Sequence, residues 1–394
     1  METWRKIRLG DACVTNTSSY SAKEGWKFVN YLDTGNITEN RIDSIWHIDL
    51  EDEKLPSRAK RKVRMNSIIY STVRPNQRHF GIIKMKPENF LVSTGFVVID
   101  VDTDIIDADF LYYLLAQPVF VEMLHAIAEQ STSAYPSIKP SDIENLEIEI
   151  PSLTTQKAIA SVLGSLDKKV NQNAEINKNL EEQAQSIFAE RFVNNDYEIA
   201  KVTNLGSVCD CVLGGTPSRA KPEFWNGNIP WINSGEVNRF RITSPSELIT
   251  QAGLERSATK LLPAKTTVLA ITGATLGQVS LLEIAACANQ SVVGIVPNTT
   301  LPYEFIYPYI RANIQELISH QTGGAQQHIN KQNVEGLSIS IPSKPLLDDF
   351  VSLVSPIYAM VASNCFENVR LEQLRDSLLP QLMSGELDVS NIDL

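Results

Sequence analysis

Residues 110–127 read FLYYLLAQPVFVEMLHAI, and residues 305–322 read FIYPYIRANIQELISHQT. Each stretch is followed by a polar loop and then by a short apolar segment that ends in Ile-Pro-Ser, at Ser152 and at Ser343. Ile150 is therefore equivalent to Ile341, which gives a period of 191 residues. Because self-similarity at a fixed period indicates repeated structural units, the chain is predicted to be two similar halves, each a mixed domain followed by a helix.

The repeat divides the 394 residues into four segments, and 43% hydrophobic content is ample for their buried cores. The predicted segments are domain one at 1–149, a helix at 150–192, domain two at 193–340, and a helix with a C-terminal tail at 341–394. The predicted fold class is α+β. It comprises two mixed α/β domains in pseudo-two-fold arrangement, separated by two long antiparallel coiled-coil helices.

Each Ile-Pro-Ser sequence opens a long helical pattern, with proline at the entry, where its missing N–H costs little, and serine as a candidate cap. Apolar residues recur at three- and four-residue spacing without a break, which is typical of a coiled coil. The predicted seam contains Leu166, Lys169, Asn173, Ile176 and Leu180 on the first helix and Leu353, Ile357, Met360, Asn364, Glu367 and Leu371 on the second. Pro356 is expected to kink or delay the second helix.

Chain connectivity predicts the direction of the two helices. The second helix starts where domain two ends, so it must run back along the first if the two pack together. Lys169, Asn173, Asn364 and Glu367 all fall near the middle of the seam. Buried polar residues there would fix the register at a cost in stability, although simple solvent exposure of these side chains is the alternative.

The net charge of −11 argues at first against a polyanionic partner such as nucleic acid. The charge is unevenly distributed, however, because residues 54–86 contain ten basic side chains and no acidic one. They are Lys54, Arg58, Lys60, Arg61, Lys62, Arg64, Arg74, Arg78, Lys84 and Lys86. Such a run is an electrostatic footprint for phosphate, unless it is a solvated face balanced by the acids at 51–53.

Within this run, PNQRHFG at 75–81 forms a loop bounded by proline and glycine. Its Asn76, Gln77, Arg78 and His79 side chains are suited to hydrogen bonding with purine edges in a major groove. The flanking lysines and arginines would position the duplex, and the loop would read it.

Domain two carries a weaker version of this pattern. A turn-rich stretch contains Arg219, Lys221, Arg239 and Arg241, and its Trp225 and Trp231 are more typical of a local core than of a base-stacking platform. The counterpart of the first loop follows the strand-like TVLAITG at 267–273, and it offers Thr272, Thr275 and Gln278 as candidate DNA contacts. The polar loops that precede the Ile-Pro-Ser segments add Tyr135, Gln326, Gln327 and His328 as candidate DNA contacts.

Signatures of catalysis are absent from the sequence. There is no Pro-Pro for an amino-methylation motif, no phosphate-binding G-x-x-x-x-G-K-[ST], no H-E-x-x-H and no G-x-S-x-G. Five scattered cysteines favour a reducing compartment over a disulfide framework, and no metal site is predicted. The N-terminus lacks the apolar core of a signal peptide, and no run is suited to a bilayer span, so the expected location is the cytoplasm.

Four stretches together resemble one known family, the specificity subunits of type I restriction-modification enzymes. They are GGTPSRAKPEFWNGNIPW at 214–231, SIKPSDIENLEIEIPS at 137–152, HINKQNVEGLSISIPS at 328–343 and LRDSLLPQLMSGELDV at 374–389. The resemblance covers essentially the whole chain.

The resemblance implies a DNA-reading adaptor that is not itself an enzyme. Each domain would read one half of a bipartite, asymmetric site in double-stranded DNA, and the helices would set the gap and dock two modification subunits. The implied cofactors, S-adenosylmethionine, ATP and Mg²⁺, would belong to the modification and restriction subunits, with none in this chain. Replacing Arg74 or Arg78 by Ala is then expected to weaken recognition of the first half-site only.

Two alternatives remain open at this point. One is a stand-alone DNA methyltransferase or nuclease with an unrecognised site. The other is a scaffold that does not bind DNA.

Overall fold

The computed structural model describes residues 4–131, 136–319 and 327–392. The chain divides into two compact units, of which unit 1 contains Met1–Lys168 with Glu372–Leu394 and unit 2 contains Lys169–Leu371. Each unit combines one repeated domain with part of both long helices. The segment boundaries derived from the repeat stay a prediction, because compactness divides the chain inside the helices instead.

Unit 1 begins with a mixed domain of strands and short helices. Its strands are β1 (Arg5–Arg8), β2 (Cys13–Thr15), β3 (Phe28–Leu32), β4 (Ile37–Thr38), β5 (Arg41–Ile42), β6 (Trp46–Asp49), β7 (Ala59–Lys62), β8 (Ile68–Ser71), β9 (Phe80–Ile82), β10 (Phe90–Ser93), β11 (Phe96–Val101) and β12 (Glu147–Ile150). Its short helices are α1 (Ala108–Ala116), α2 (Pro118–Glu129) and α3 (Pro140–Glu144).

Two four-stranded sheets form the body of this domain, with strand orders β6-β3-β10-β7 and β2-β11-β8-β9. Strands β8 and β11 are nearly continuous apolar runs bounded by turns, and they are buried along almost their whole length. The repeated stretch at 110–127 becomes α1 and α2, which are bent by 68° where Pro118 opens the second helix. Asp107 caps α1 by accepting a hydrogen bond from the Phe110 N–H at 3.0 Å.

The long helix α4 (Leu153–Phe192) follows β12, and the domain of unit 2 comes after it. The strands of unit 2 are β13 (Ile199–Asn204), β14 (Asp210–Leu213), β15 (Trp225–Ile232), β16 (Glu247–Ile249), β17 (Leu261–Leu262), β18 (Thr267–Ala270), β19 (Val279–Leu281), β20 (Ala286–Ala288), β21 (Val292–Val296) and β22 (Ser338–Pro342). Its helices are α5 (Gln251–Glu255), α6 (Tyr303–Ala312), α7 (Ile314–Ser319) and α8 (Lys331–Glu335), and α9 (Lys344–Met383) ends the fold.

Unit 2 repeats the topology of unit 1. Its four-stranded sheets have the orders β16-β15-β20-β17 and β14-β21-β18-β19, and each strand stands where its counterpart stands in unit 1. The two-stranded sheets β1-β12 and β13-β22 correspond in the same way. The predicted α+β class with two repeated domains is therefore confirmed.

Both long helices are formed as the sequence predicted, and each contains 40 residues. Ser152 caps α4 through its Oγ, which lies 3.4 Å from the Thr155 N–H. The expectation that Pro356 delays the second helix is wrong, since α9 begins at Lys344 and is continuous to Met383, whereas the kink stays a prediction. Pro356 is exposed, so the helix accommodates its ring on the solvent side.

The predicted seam is correct in part. The assignment of Ile176, Leu353 and Met360 to the seam is wrong, because these residues are 43%, 45% and 54% exposed. In unit 2 the buried positions of α4 are Asn173, Asn177, Glu181, Ala184, Phe188 and Phe192, and those of α9 are Leu347, Phe350, Val354, Tyr358, Val361 and Ala362. The buried positions recur every 11 residues, as from Asn173 to Ala184. Positions chosen with a seven-residue repeat therefore move progressively away from the buried face of the helix.

Polar groups do occupy the middle of the pair, and the helices run antiparallel. In unit 2 the Asn173 amide donates to Glu367 at 2.7 Å and to Asn368 at 2.8 Å, and the Asn364 amide donates to Asn177 at 2.9 Å. Lys169 lies 3.4 Å from Glu367, and the Asn173 hydrogen bond and this ammonium together lower the pKa of Glu367. Asn173 is only 1% exposed, so the alternative of simple solvent exposure is wrong for that residue.

Helix α9 meets the criterion for a membrane span by length and composition alone. Its most apolar 18-residue window has a mean hydropathy of 1.4, and a third of that window is buried. The buried positions include Val354, Tyr358 and Val361, which pack within unit 2. The buried third of the window therefore packs in a protein core, and a single helix of this kind is weak evidence for a membrane span.

Candidate nucleic-acid interface

The loop that connects β8 to β9 in unit 1 projects its central residues into solvent. Pro75–Gln77 form a 3-10 turn, and Arg74 and Arg78 on either side have left-handed backbones with φ of 49° and 58°. The Gln77 N–H donates to the Arg74 carbonyl and the Arg78 N–H to the Pro75 carbonyl, each at 2.9 Å. The turn is therefore held in one conformation while Arg74, Asn76 and Gln77 stay exposed.

A second loop meets this turn in each unit. In unit 1 the Arg74 N–H donates to the Pro136 carbonyl at 3.2 Å, and Val73 and Ser137 form a bridge. In unit 2 the Gly273 N–H donates to the Gln327 carbonyl at 3.0 Å, and Thr272 bridges to His328. In each unit the structure thus brings together two loops that the sequence analysis treated as separate candidates for DNA contact. Tyr135 and Gln326 lie outside the described residues.

The β4–β5 hairpin supports the turn of unit 1 from the other side. The Glu39 N–H donates to the Arg78 carbonyl at 3.0 Å. His79 Nδ1 lies 2.6 Å from the Ile37 carbonyl oxygen and 3.3 Å from the Thr38 hydroxyl. His79 is therefore held through Nδ1 by the hairpin, and its contact with a base stays a prediction.

Arg78 also faces inward. Its guanidinium pairs with the Glu39 carboxylate and donates to the Ala116 carbonyl at 2.7 Å, at the end of α1. It also lies over the Phe80 ring, 5.5 Å from its centroid. These contacts occupy the guanidinium, and contact of Arg78 with DNA stays a prediction, because a DNA contact would have to replace them.

The basic run of 54–86 does not form one patch. Strands β8 and β9 are antiparallel, so Arg74 lies at one end of the sheet while Arg64, Lys84 and Lys86 lie at the other. The intervening four-residue strand spans about 13 Å. At that far end Lys84 pairs with Asp109 at 2.7 Å, and Arg64 lies 3.9 Å from the buried Asp100.

The remaining basic residues of the run lie on or beside β7 in the other sheet. Arg58 and Lys60 are exposed, whereas Arg61 is half-buried and its burial lowers the pKa of the guanidinium. Lys62 pairs with Glu24 and lies over the Trp26 ring, 5.2 Å from its centroid. Only part of the run is therefore placed to attract phosphate.

In unit 2 the cations of the turn-rich stretch are engaged locally. Arg219 forms a bidentate pair with Glu247, with one arm at 2.7 Å, and stacks 3.6 Å above the Trp225 ring. Lys221 is exposed and lies 5.0 Å from the Phe224 ring centroid. Arg239 lies 3.2 Å from Glu236. Trp225 is buried in the local core, as its position at the turn predicted.

Arg241 is the clearest correction, because it is 5% exposed and cannot reach DNA. Its guanidinium lies 2.6 Å from Glu181 on α4 and 3.4 Å from Glu283, and it donates to the Tyr307 hydroxyl at 3.0 Å. Burial alone would lower the pKa of Arg241, but Tyr307 and Glu181 raise it overall. Its charge is thus used to hold unit 2 together.

Further contacts extend this buried ion network of unit 2. Arg311 on α6 lies 2.6 Å from Glu181, and Lys265 pairs with Glu283. Sequence reasoning missed the network, since its members are dispersed along the chain. The signal that could have revealed it is the 11-residue spacing, which puts Glu181 rather than Leu180 on the buried face of α4.

The loop of unit 2 that corresponds to 74–78 carries no charge. Thr272, Thr275 and Gln278 are partly buried, and the Thr275 hydroxyl donates to the Thr272 carbonyl at 3.2 Å. The Gln278 Oε1 is buried and finds no hydrogen-bond partner among the described residues. Gln327 and His328 are exposed beside this loop.

Groups suited to metal binding are not assembled in the part of the chain that the structure describes. No cluster of three or more His, Cys, Asp or Glu side chains there is placed to hold a metal ion. The five cysteines are all free. Burial raises the pKa of Cys13 and Cys209 to about 12, which leaves these thiols protonated and poorly nucleophilic near neutral pH.

Comparison with known proteins identifies similar chains. The profile of a family described as "Type I restriction modification DNA specificity domain" matches residues 1–182 and 197–346. The HindI specificity subunit of Haemophilus influenzae is 25% identical over 98% of this chain and 100% of its own length. The MjaIX specificity subunit of Methanocaldococcus jannaschii is 26% identical over 79% of this chain and 76% of its own.

A solved structure shares the fold. The S subunit of a type I restriction-modification system from M. genitalium superposes with a TM-score of 0.57 at 16% identity, covering 97% of this chain and 96% of that one. At this identity the likeness is one of fold alone.

Proposed function

The chain belongs to the type I restriction-modification DNA specificity family, and we propose that it is the DNA-reading subunit of such a system. In this role it binds double-stranded DNA in the cytoplasm and carries no catalytic group of its own. Modification subunits methylate the DNA and restriction subunits cleave it, with S-adenosylmethionine, ATP and Mg²⁺ as their cofactors.

One observation supports this proposal most directly. In both units the turn between equivalent strands meets a second loop at the same edge of the domain, through the Arg74–Pro136 and Gly273–Gln327 hydrogen bonds. Two copies of one loop pair with different side chains suit two half-sites of different sequence. Base contacts supply the specificity, while exposed cations such as Arg58 and Lys60 contact phosphate.

Two measurements test this proposal. In cells, adenine methylation is mapped across the genome with the gene present and deleted, and a bipartite methylated motif that disappears with the gene is the expected result. In the second measurement, the purified chain is combined with its modification subunits, and the complex should retain DNA in a salt-sensitive manner. Methylation or cleavage by the chain alone, supplied with S-adenosylmethionine, Mg²⁺ and ATP, would show an enzyme, and absence of salt-sensitive retention would favour a scaffold.

Exposed apolar side chains on the long helices support docking of a modification subunit. Leu353 and Met360 lie seven residues apart on α9 and share one face, and Ile176 is exposed on α4. Exposed apolar side chains that share a face can contribute to an interaction surface in a soluble protein. We therefore propose that a modification subunit docks on this face of unit 2.

Replacing Met360 by Glu is expected to weaken assembly with the modification subunit at least tenfold, because a buried carboxylate without a partner costs several kcal/mol. The melting temperature of the isolated chain should stay unchanged, since the side chain is already 54% exposed. Ser352→Glu, on another exposed face of α9, is the matched control. Copurification measures the outcome, and normal assembly of the Met360 variant would remove this face from the interface.

A further inference from the structure

Arginine occupies two backbone positions in unit 1 where unit 2 has glycine. The bridges Val73–Ser137 and Thr272–His328 align the loops, so that Arg74 corresponds to Gly273 and Arg78 to Gly277. All four residues are left-handed, with φ of 49° and 58° for the arginines and 64° and 85° for the glycines. Glycine adopts this conformation freely, whereas a side chain makes it costly.

The two arginines differ in what offsets that cost. The Arg78 guanidinium forms an ion pair with the Glu39 carboxylate and donates a hydrogen bond to the Ala116 carbonyl, and these contacts stabilise the loop. Arg74 is exposed, and within residues 4–131, 136–319 and 327–392 its guanidinium forms no ion pair or hydrogen bond. The strain at Arg74 is therefore kept without a structural benefit, and strain of this kind occurs where a side chain serves a ligand.

The surrounding backbone fixes the direction from which Arg74 leaves the protein. Its N–H is bound to Pro136, its carbonyl accepts from Gln77, and Arg78 ties the far side of the turn to the β4–β5 hairpin. A phosphate contact does not need such control, since exposed surface cations such as Lys60 suffice for it. Reading a base edge does need it, because both N–H groups must align with two acceptors.

We propose that Arg74 reads a guanine in the half-site of unit 1, donating from its guanidinium to O6 and N7 in the major groove. This inference rests on the proposed DNA-reading function and adds the base and the residue that recognises it. Arg78 is a positioning residue for the same loop and does not touch the DNA.

The corresponding loop of unit 2 makes the assignment specific to one half-site. Gly273 replaces Arg74, and no residue from Thr272 to Gln278 is basic. Recognition by unit 2 therefore depends on neutral donors and acceptors such as Gln327, which suit an adenine edge. An arginine-read guanine belongs only to the half-site of unit 1.

The experiment uses the complex of this chain with its modification subunits. Its binding is measured to a duplex with the motif found by methylation mapping, and to a set of duplexes that each carry one base-pair change in either half-site. With the natural chain, replacing one particular G·C pair in one half-site should lower the affinity for the duplex by about 5- to 150-fold. In Arg74→Ala and Arg74→Gly that position should no longer discriminate, while every other position keeps its preference. Arg74→Gly restores the residue that unit 2 uses, so it should fold at least as well as the natural chain.

Two controls separate reading from general attraction and from loop integrity. Lys60→Ala should weaken binding to all duplexes equally, by a few fold, and should reduce the salt dependence of binding. Arg78→Ala should weaken discrimination at several positions of the same half-site and lower the melting temperature.

Uniform loss of affinity in both Arg74 variants would assign Arg74 to phosphate, and retained discrimination at every position would remove it from the interface. Either result overturns this inference and leaves the DNA-reading function standing. Absence of any sequence preference in the natural complex would instead refute the proposed function.

Discussion

Replacing Arg241 by Met is expected to lower the free energy of unfolding of unit 2 by about 3–5 kcal/mol. Arg241 joins two carboxylates that are themselves buried, since the side chains of Glu181 and Glu283 are 6% and 1% exposed. Without it, Glu181 keeps Arg311 and Glu283 keeps Lys265, and both of these cations are partly solvated. The buried charges would then be incompletely compensated, which costs more than the pair contributes when intact.

Urea denaturation measures this loss, with hydrogen exchange of the β18 and β19 amides reporting on unit 2 separately from unit 1. Lys344→Met is the matched control, because it breaks the exposed Lys344–Asp348 pair and should cost no more than about 0.5 kcal/mol. Changing Glu181 and Glu283 to Leu together with Arg241→Met should recover part of the loss. An effect of Arg241→Met no larger than the control would mean that the network does not hold unit 2 together.

Replacing Gly214 by Ala is expected to lower the free energy of unfolding of unit 2 by about 3 kcal/mol. A Cβ at this position would lie 2.5 Å from the Ala288 carbonyl oxygen and would also overlap the Asn289 carbonyl. The backbone cannot withdraw easily, because the Gly214 N–H donates to Val292 at 3.0 Å and the Gly215 N–H donates to Ala288 at 2.8 Å. The clash is with main chain on every side, so no side-chain rotation relieves it.

Gly35→Ala is the control for the Gly214 variant. Gly35 lies in a turn of unit 1, and a Cβ there would meet nothing within 4 Å. Its stability should be unchanged or slightly raised through the loss of freedom in the unfolded chain. Thermal and urea unfolding of the two variants check the contrast, and equal midpoints for both would contradict the close approach of β14 to the end of β20.

Several elements could be predicted from the sequence because they depend on repeated local patterns. The equivalence of Ile150 and Ile341 anticipated two domains of the same topology, and the Ile-Pro-Ser segments anticipated where α4 and α9 begin. The turn residues of PNQRHFG at 75–81 also indicated a loop, which the structure has between β8 and β9.

The side-chain roles within those elements could not be predicted in the same way. Arg74 and Arg78 are four residues apart in one loop, yet one is exposed and the other is bound to Glu39. Arg241 resembles its exposed neighbour Arg239 in sequence but is buried against Glu181. Pairing with a distant carboxylate decides each case, and the partner of a charge is not visible in the residues around it.

The sequence by itself determined the repeat, the α+β class, the presence of two long helices and the loops that carry the candidate DNA contacts. Hydrophobic periodicity and turn residues act over a few neighbouring positions, so the linear order of residues contains that information. Only the tertiary structure decided which cations face solvent and which face of α4 is buried. Those outcomes depend on desolvation and on contacts between residues far apart in the chain, such as Glu181 with Arg241 and Arg78 with Ala116.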